Sequence, residues 1–217
     1  MLIDAYLCKK IMTHLMKLAD IVETFISGDW GEETASDNTP NAVSCIRGAD
    51  IVPVTNHNFN GIPLRYVSQR TIDTKILQPG DLIIEKSGGS PNQSTGRIVY
   101  VSEDLIKSKG NIVCSNFCTA LRVKTGWNPL YVYYYWKNVY NHGAFFNFEG
   151  KTSGIKNLLL DTALSAIGIK YLPLEKQNHI VDLLSAIDEK LKVNRQINDN
   201  LPLPDHSSKE GAECCAV

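Results

Sequence analysis

The sequence has no excess of positive charge: 22 lysines and arginines stand against 23 aspartates and glutamates, for a formal net charge of -1. A strongly basic chain would announce a polyanionic partner through its bulk charge. Here any contact with nucleic acid has to come from a local basic surface. Long apolar runs are also missing, and none approaches the roughly 18 residues of a membrane span. Residues 1–19 are mildly amphipathic, but Asp4, Lys9, Lys10, His14 and Lys17 interrupt them, and they contain no small-residue cleavage site. The expectation is a soluble, cytoplasmic protein with no membrane partner. Its six cysteines, Cys8, Cys45, Cys114, Cys118, Cys214 and Cys215, form no CxxC pair and no Cys/His array of zinc type. Cys114 and Cys118 lie among apolar and small residues and read as buried reduced thiols in a reducing compartment. A metal site there is the lesser alternative.

Catalytic signatures are equally scarce. Gly150-Lys151-Thr152 ends like a phosphate-binding loop, but the required earlier glycine is Phe145. Asn128-Pro129-Leu130-Tyr131 is similar to the Asn-Pro-Pro-Tyr of amino-methyltransferases without its second proline. No glycine-rich cofactor loop follows a strand upstream, so helix capping explains these residues better. Asp81 and Glu85 fall on one face of a strand, while Glu85 and Lys86 point to opposite faces, which speaks against a metal-dependent nuclease. The five histidines lack a Gly-x-Ser-x-Gly context. No catalytic residue, cofactor or metal is expected.

What is present is globular: 43% hydrophobic and 21% charged residues over 217. Residues 1–27 read as a helix, with Ile11, Leu15, Leu18, Ile21, Val22 and Phe25 at helical spacing. From 28 to 171 short β-like runs recur at 43–47, 50–54, 81–85, 97–101, 112–114 and 119–123, separated by turns such as Asn60-Gly61 and Pro79-Gly80. Without helices between them they suggest a mostly antiparallel sheet, curved or barrel-like. Asn128-Pro129 starts a helix over Leu130–Asn141, and a second is expected near 155–166. Its aromatics Tyr131, Tyr133, Tyr134, Tyr135, Trp136 and Tyr140 read as core, with base stacking as the alternative. Pro173–Leu201 has no glycine or proline after its first residue. Ile180, Leu184, Ile187, Leu191, Asn194, Asn198 and Leu201 alternate four and three apart, a coiled-coil seam with polar positions at its far end. The tail at 202–217 is expected to be disordered. The fold class is thus α+β, with a sheet-rich domain over 1–171 followed by a long helix over 172–201.

One segment stands out, from Glu85 to Arg97. Its centre is small and polar. Gly88 and Gly89 allow another molecule to approach the backbone. Ser87, Ser90, Asn92 and Gln93 are side chains that meet base edges, and Lys86 and Arg97 are suited to phosphates. A plain mobile hairpin is the competing reading. Lys151, Thr152 and Lys156 would extend the same polyanion-binding surface, with Arg47 at its margin.

Taken together these features resemble the specificity subunit of type I restriction-modification enzymes, in a form with a single target-recognition domain. The resemblance rests on residues 17–30, on Cys45-Ile46-Arg47-Gly48-Ala49-Asp50-Ile51, on Leu77-Gln78-Pro79-Gly80-Asp81-Leu82-Ile83-Ile84, and above all on residues 169–181. There the family's "I-P-L-P-P-L-x-E-Q-x-x-I" appears as Leu172-Pro173-Leu174-Glu175-Lys176-Gln177, with one proline replaced and the Glu-Gln pair reading Lys-Gln. The resemblance implies a non-catalytic subunit that reads one half of a split site on double-stranded DNA. Its helix would act as a spacer and dock the modification (methyltransferase) subunit, and through it the restriction subunit. It further implies either a homodimer paired through the C-terminal helix or one half of a longer or recombining locus. A standalone DNA-modifying enzyme and a helix-mediated protein adaptor are the alternatives.

Overall fold

The structure, a computed structural model, describes residues 15–88, 92–152 and 155–200, with Lys151, Thr152 and Asp199 described by backbone alone. The chain forms two compact units, 1–182 and 183–217. The first unit opens with β1 (Leu15–Lys17), α1 (Leu18–Ile21) and β2 (Val22–Ser27), then β3 (Asn41–Ile46), α2 (Ile51–Thr55), β4 (Leu64–Val67) and α3 (Gln69–Lys75). It continues with β5 (Leu82–Glu85), β6 (Ser87–Gly88), β7 (Ile98–Tyr100), α4 (Glu103–Lys109), β8 (Ile112–Cys114) and β9 (Cys118–Val123). Then come α5 (Pro129–Asn141), β10 (Glu149–Thr152), β11 (Ile155–Leu158), α6 (Leu160–Ala166), β12 (Gly168–Lys170) and the start of α7 (Leu174–Asp199).

The strands form four ladders, β2-β9-β5-β7, β4-β3-β8, β10-β11-β6 and β1-β12. All pairs are antiparallel except β3 with β8. The class is α+β as expected, but no ladder closes into a barrel among the described residues. The ladder around β5 is covered on both faces. Successive side chains of a strand point to opposite faces. Leu82 and Ile84 therefore enter one core with Leu121, Val132 and Trp136, while Ile83 enters another with Val99, Ile112 and Ala120. That double burial explains why Leu82-Ile83-Ile84 is continuously apolar rather than alternating. Each such side chain contributes about 1.5–3 kcal/mol by leaving water.

Several local expectations give way: helices α2, α3 and α4 intervene between strands of the 28–171 region, where none was expected, and three segments take another form. Within the expected helix over 1–27, residues 15–27 are β1, the single turn α1 and β2, while residues 1–14 lie outside the described residues. Leu18 and Ile21 are buried, but the β-branched residues of Val22–Ser27 pair with β9, and that ladder overrides the helical spacing. The run at 50–54 is not a strand. Asp50 Oδ2 accepts the Arg47 backbone N–H at 2.9 Å and opens a helical turn, in which Pro53 needs no N–H partner. The helix near 155–166 is divided into β11 and the shorter α6.

The helix α5 was legible. Asn128 Oδ1 accepts the Leu130 N–H at 2.9 Å as its cap, and Pro129 fills the first turn. Tyr131, Tyr133 and Trp136 are buried, so this aromatic face is core. The beginning of α7 is tied to the same core by Val181 and by Gln177, a fully buried amide. Gln177 Oε1 accepts the Asn128 N–H at 2.8 Å, and its Nε2 donates to Leu172 O at 2.7 Å and Gly126 O at 3.2 Å. In the second unit the helix continues to Asp199, with Leu183, Ile187, Leu191 and Ile197 exposed along it. No described helix is long and apolar enough to cross a membrane.

Candidate nucleic-acid interface

Two polar loops remote in sequence are brought into one small sheet. The hairpin of β10 and β11 pairs Glu149 with Leu158, Gly150 with Asn157, Lys151 with Lys156 and Thr152 with Ile155. Its second strand then pairs with β6, Lys156 opposite Gly88 and Asn157 opposite Ser87. The Leu158 N–H donates to Lys86 O at 2.7 Å, and the Ser87 hydroxyl donates to the Asn157 side-chain oxygen, 70 residues away in sequence. Lys86, Ser87, Gly88, Lys151, Thr152 and Lys156 therefore belong to one three-stranded ribbon. Gly88 has φ 139°, and a Cβ there would meet Glu85 Oε1 at 2.7 Å, so both conformation and space require glycine. Gly89 and Ser90 lie outside the described residues, as do Ser153 and Gly154.

The cations of the site differ sharply in their surroundings. Arg97 donates Nε to Glu85 Oε2 at 2.8 Å and Nη2 to Oε1 at 2.6 Å, with only 17% of its side chain and 3% of the Glu85 side chain exposed. Hydrogen bonding to Glu85 raises the Arg97 pKa further, with burial opposing. Lys156 Nζ lies 3.1 Å from Glu149 Oε2 and 3.3 Å from Gln93 O, with the Phe146 ring at 5.3 Å. Arg47 forks onto Asp50 at 2.8 Å twice and reaches Gly61 O at 3.0 Å, and that hydrogen bonding raises its pKa. Lys86 is half-buried, and among the described residues no ion pair engages its ammonium. Asn92 is exposed and Gln93 half-buried.

The stretch after this loop is held from several sides. The Trp136 indole N–H donates to Gly96 O at 2.7 Å, the Tyr140 hydroxyl to Ser94 O at 3.0 Å, and Glu149 Oε1 accepts the Thr95 N–H at 2.7 Å. Phe145 stacks on Trp136 with centroids 4.7 Å apart and closes on Gly96, where a Cβ would lie 3.1 Å from the ring. Reading the sequence missed Glu149, and it took Trp136 and Tyr140 as core, with base stacking as the alternative, rather than as donors to the backbone of the 94–96 stretch. Beside the ribbon runs a shallow groove, with Phe117 and Ile155 exposed on it and Trp30, Gly48 and Ala49 among its lining.

The carboxylates weighed for metal chemistry each have an arginine. Asp81 binds Arg122 through two contacts of 2.8 Å, and Glu85 binds Arg97. Among the described residues no group of three or more histidines, cysteines, aspartates or glutamates is placed to hold a metal ion.

Set beside known proteins, residues 15–203 match the family model of the type I restriction modification DNA specificity domain. The chain belongs to this family. No curated protein matches it. Among solved structures it is similar to a chain from work on complex assembly and conformational transition of the type I R-M system, with 16% identity and a TM-score of 0.55 over 85% of this chain and 40% of that one. It is also similar to the type I restriction-modification S subunit from M. genitalium, with 15% identity and a TM-score of 0.50 over 85% of this chain and 43% of that one. A third likeness is to the HsdS subunit from Thermoanaerobacter tengcongensis, with 17% identity and a TM-score of 0.48 over 84% and 39% of the two chains. At these identities the likeness to the first two is one of fold, and the chain spans less than half the length of each of these structures.

Of the seam residues expected on the C-terminal helix, Ile180 and Leu184 are half-buried, and Ile187, Leu191, Asn194 and Asn198 are exposed. Leu201 lies outside the described residues.

Proposed function

We propose that the chain is the sequence-reading component of a type I restriction-modification system, and that it contacts double-stranded DNA through the ribbon of β6, β10 and β11. One observation carries this reading: β6, from the segment 85–97, and the β10–β11 hairpin, which bears Lys151, Thr152 and Lys156, pair into a single sheet, so that residues singled out separately for polyanion-binding chemistry lie together. The β10–β11 hairpin of this sheet is a two-stranded element of the kind that fits the major groove, where each base pair shows a distinct donor and acceptor pattern. Lys86 and Lys151 are the phosphate contacts, and Ser87, Ser90, Asn92, Gln93 and Thr152 are the candidates for base edges, with Gly88 and Gly89 allowing close approach. Arg47 borders the groove.

The chain reads one half of a split site. Methyl transfer and cleavage belong to partner subunits, and α7 is the docking element. The exposed apolar residues Ile187 and Leu191, on a face shared with Leu184, favour pairing with a second copy of the chain, which would read a site of two-fold symmetry. The test is equilibrium binding of a random-sequence duplex over a range of salt, using the protein with whatever native subunits purify with it. Affinity should fall linearly on logarithmic axes, with a slope of about -0.9 per phosphate contacted. Absent or salt-independent binding would refute the assignment and favour a protein adaptor.

A further inference from the structure

Gln93, Ser94, Thr95, Gly96 and Arg97 are five consecutive residues, and each is fixed by a side chain from another element: Lys156, Tyr140, Glu149, Trp136 and Glu85 in turn. One of these fixings, Arg97 by Glu85, is an ion pair, and the Lys156 and Glu149 that hold Gln93 and Thr95 form a second pair with each other; both carboxylates are almost fully enclosed, with Glu85 3% and Glu149 6% exposed. Glu85 also fills the space beside Gly48 and Gly88, where a Cβ would approach Oε1 to 2.6 Å and 2.7 Å. The Arg97–Glu85 pair thus abuts the backbone of β6, and the Lys156–Glu149 pair crosslinks the hairpin to the 93–95 segment. A phosphate that drew Arg97 or Lys156 away from its partner would strip a buried carboxylate of its counter-charge, which is costly.

We infer that Arg97 and Lys156 are positioning residues, which act through Glu85 and Glu149 to hold the ribbon in register for DNA, and that phosphate contact falls to Lys86 and Lys151. This rests on the DNA-reading assignment above. Preorganisation of this kind lowers the ordering cost of binding and fixes which base edges are reached.

The two roles predict opposite signs for one substitution. If Arg97 or Lys156 touched phosphate, Glu85→Gln or Glu149→Gln would free a cation and strengthen binding. If they position, the carboxylate variants behave like the cation variants. The experiment takes the protein with its native subunits and a duplex enriched from a random pool by the wild type, and measures affinity against salt together with sequence preference. Glu149→Gln, Lys156→Gln, Glu85→Gln and Arg97→Gln are each expected to lose about tenfold or more in affinity for the enriched duplex, comparable to losing one good base contact. Their salt slopes should stay at the wild-type value. Lys86→Gln should instead reduce the slope by about 0.9 and weaken enriched and random duplexes alike. Lys156→Arg, which keeps the pair with Glu149, should restore the preference.

A gain in affinity from either carboxylate variant, or a reduced slope in Arg97→Gln or Lys156→Gln, overturns the inference and leaves the DNA-reading assignment standing. A wild type that enriches no sequence and binds without salt dependence overturns that assignment instead. Glu149→Gln retains an oxygen for the Thr95 N–H, so this variant and Lys156→Gln carry the comparison even if the Glu85 variant fails to fold.

Discussion

Asp29 shows how one carboxylate is set by its neighbours. Burial works to raise its pKa, but the Thr71 hydroxyl at 2.6 Å, the Gly31 N–H at 3.1 Å and the Lys75 ammonium at 3.6 Å outweigh it and hold the group below 3.8. A carboxyl lowered on folding stabilises the protein above its unfolded value and loses that contribution as pH falls through its folded value. Denaturant titrations of wild type and Asp29→Asn should therefore differ at neutral pH and converge as the solution becomes more acidic than pH 3.8. A gap that persists in acid would place the contribution elsewhere. The thiols are set mainly by burial: it pushes Cys45 up to about 12 and Cys118 to about 11, and raises Cys114 as well. The thiolate is the reactive form. Peptide mapping after iodoacetamide treatment near pH 8 should find these three cysteines unmodified in the native protein and modified after unfolding.

At the scale of elements, side chains that satisfy buried backbone groups carry much of the architecture. Trp136→Phe keeps the stack on Phe145 but leaves Gly96 O without its donor, an expected loss of about 1–3 kcal/mol in urea unfolding. Gln177→Ala removes three backbone hydrogen bonds at the start of α7, within the first unit, and should cost about 2–4 kcal/mol. The same elements show what sequence can disclose. The strands β5, β8 and β9 and the helix α5 were readable because local propensity and burial agree there. The β1–α1–β2 segment was not, because Leu18, Ile21, Val22 and Phe25 fit a helical stripe while the ladder with β9 decides the outcome. The polar loop at 85–97 was legible through its composition. That the hairpin at 149–158 would pair with it was not, since nothing local to Asn157 points to Ser87. Glu149 was invisible for the same reason: a lone carboxylate acquires its role only when Thr95 and Lys156 arrive from distant parts of the chain.

For the whole molecule, a sheet-rich unit presents a polar ribbon and the helix presents an apolar stripe. Ile187 and Leu191 are exposed, an arrangement that water disfavours unless another chain covers it. Sedimentation of the wild type should show a dimer, and the double variant Leu184→Asp, Leu191→Asp a monomer. A monomeric wild type would assign the stripe to a different subunit. The central claim concerns which surface meets DNA, and site-specific photocrosslinking tests it most directly. A benzophenone amino acid replaces Ile155, exposed on the ribbon, or Leu64, exposed on β4 in a different sheet. The account predicts that position 155 crosslinks to bound duplex DNA and position 64 does not. Crosslinking at 64 with none at 155 would contradict it.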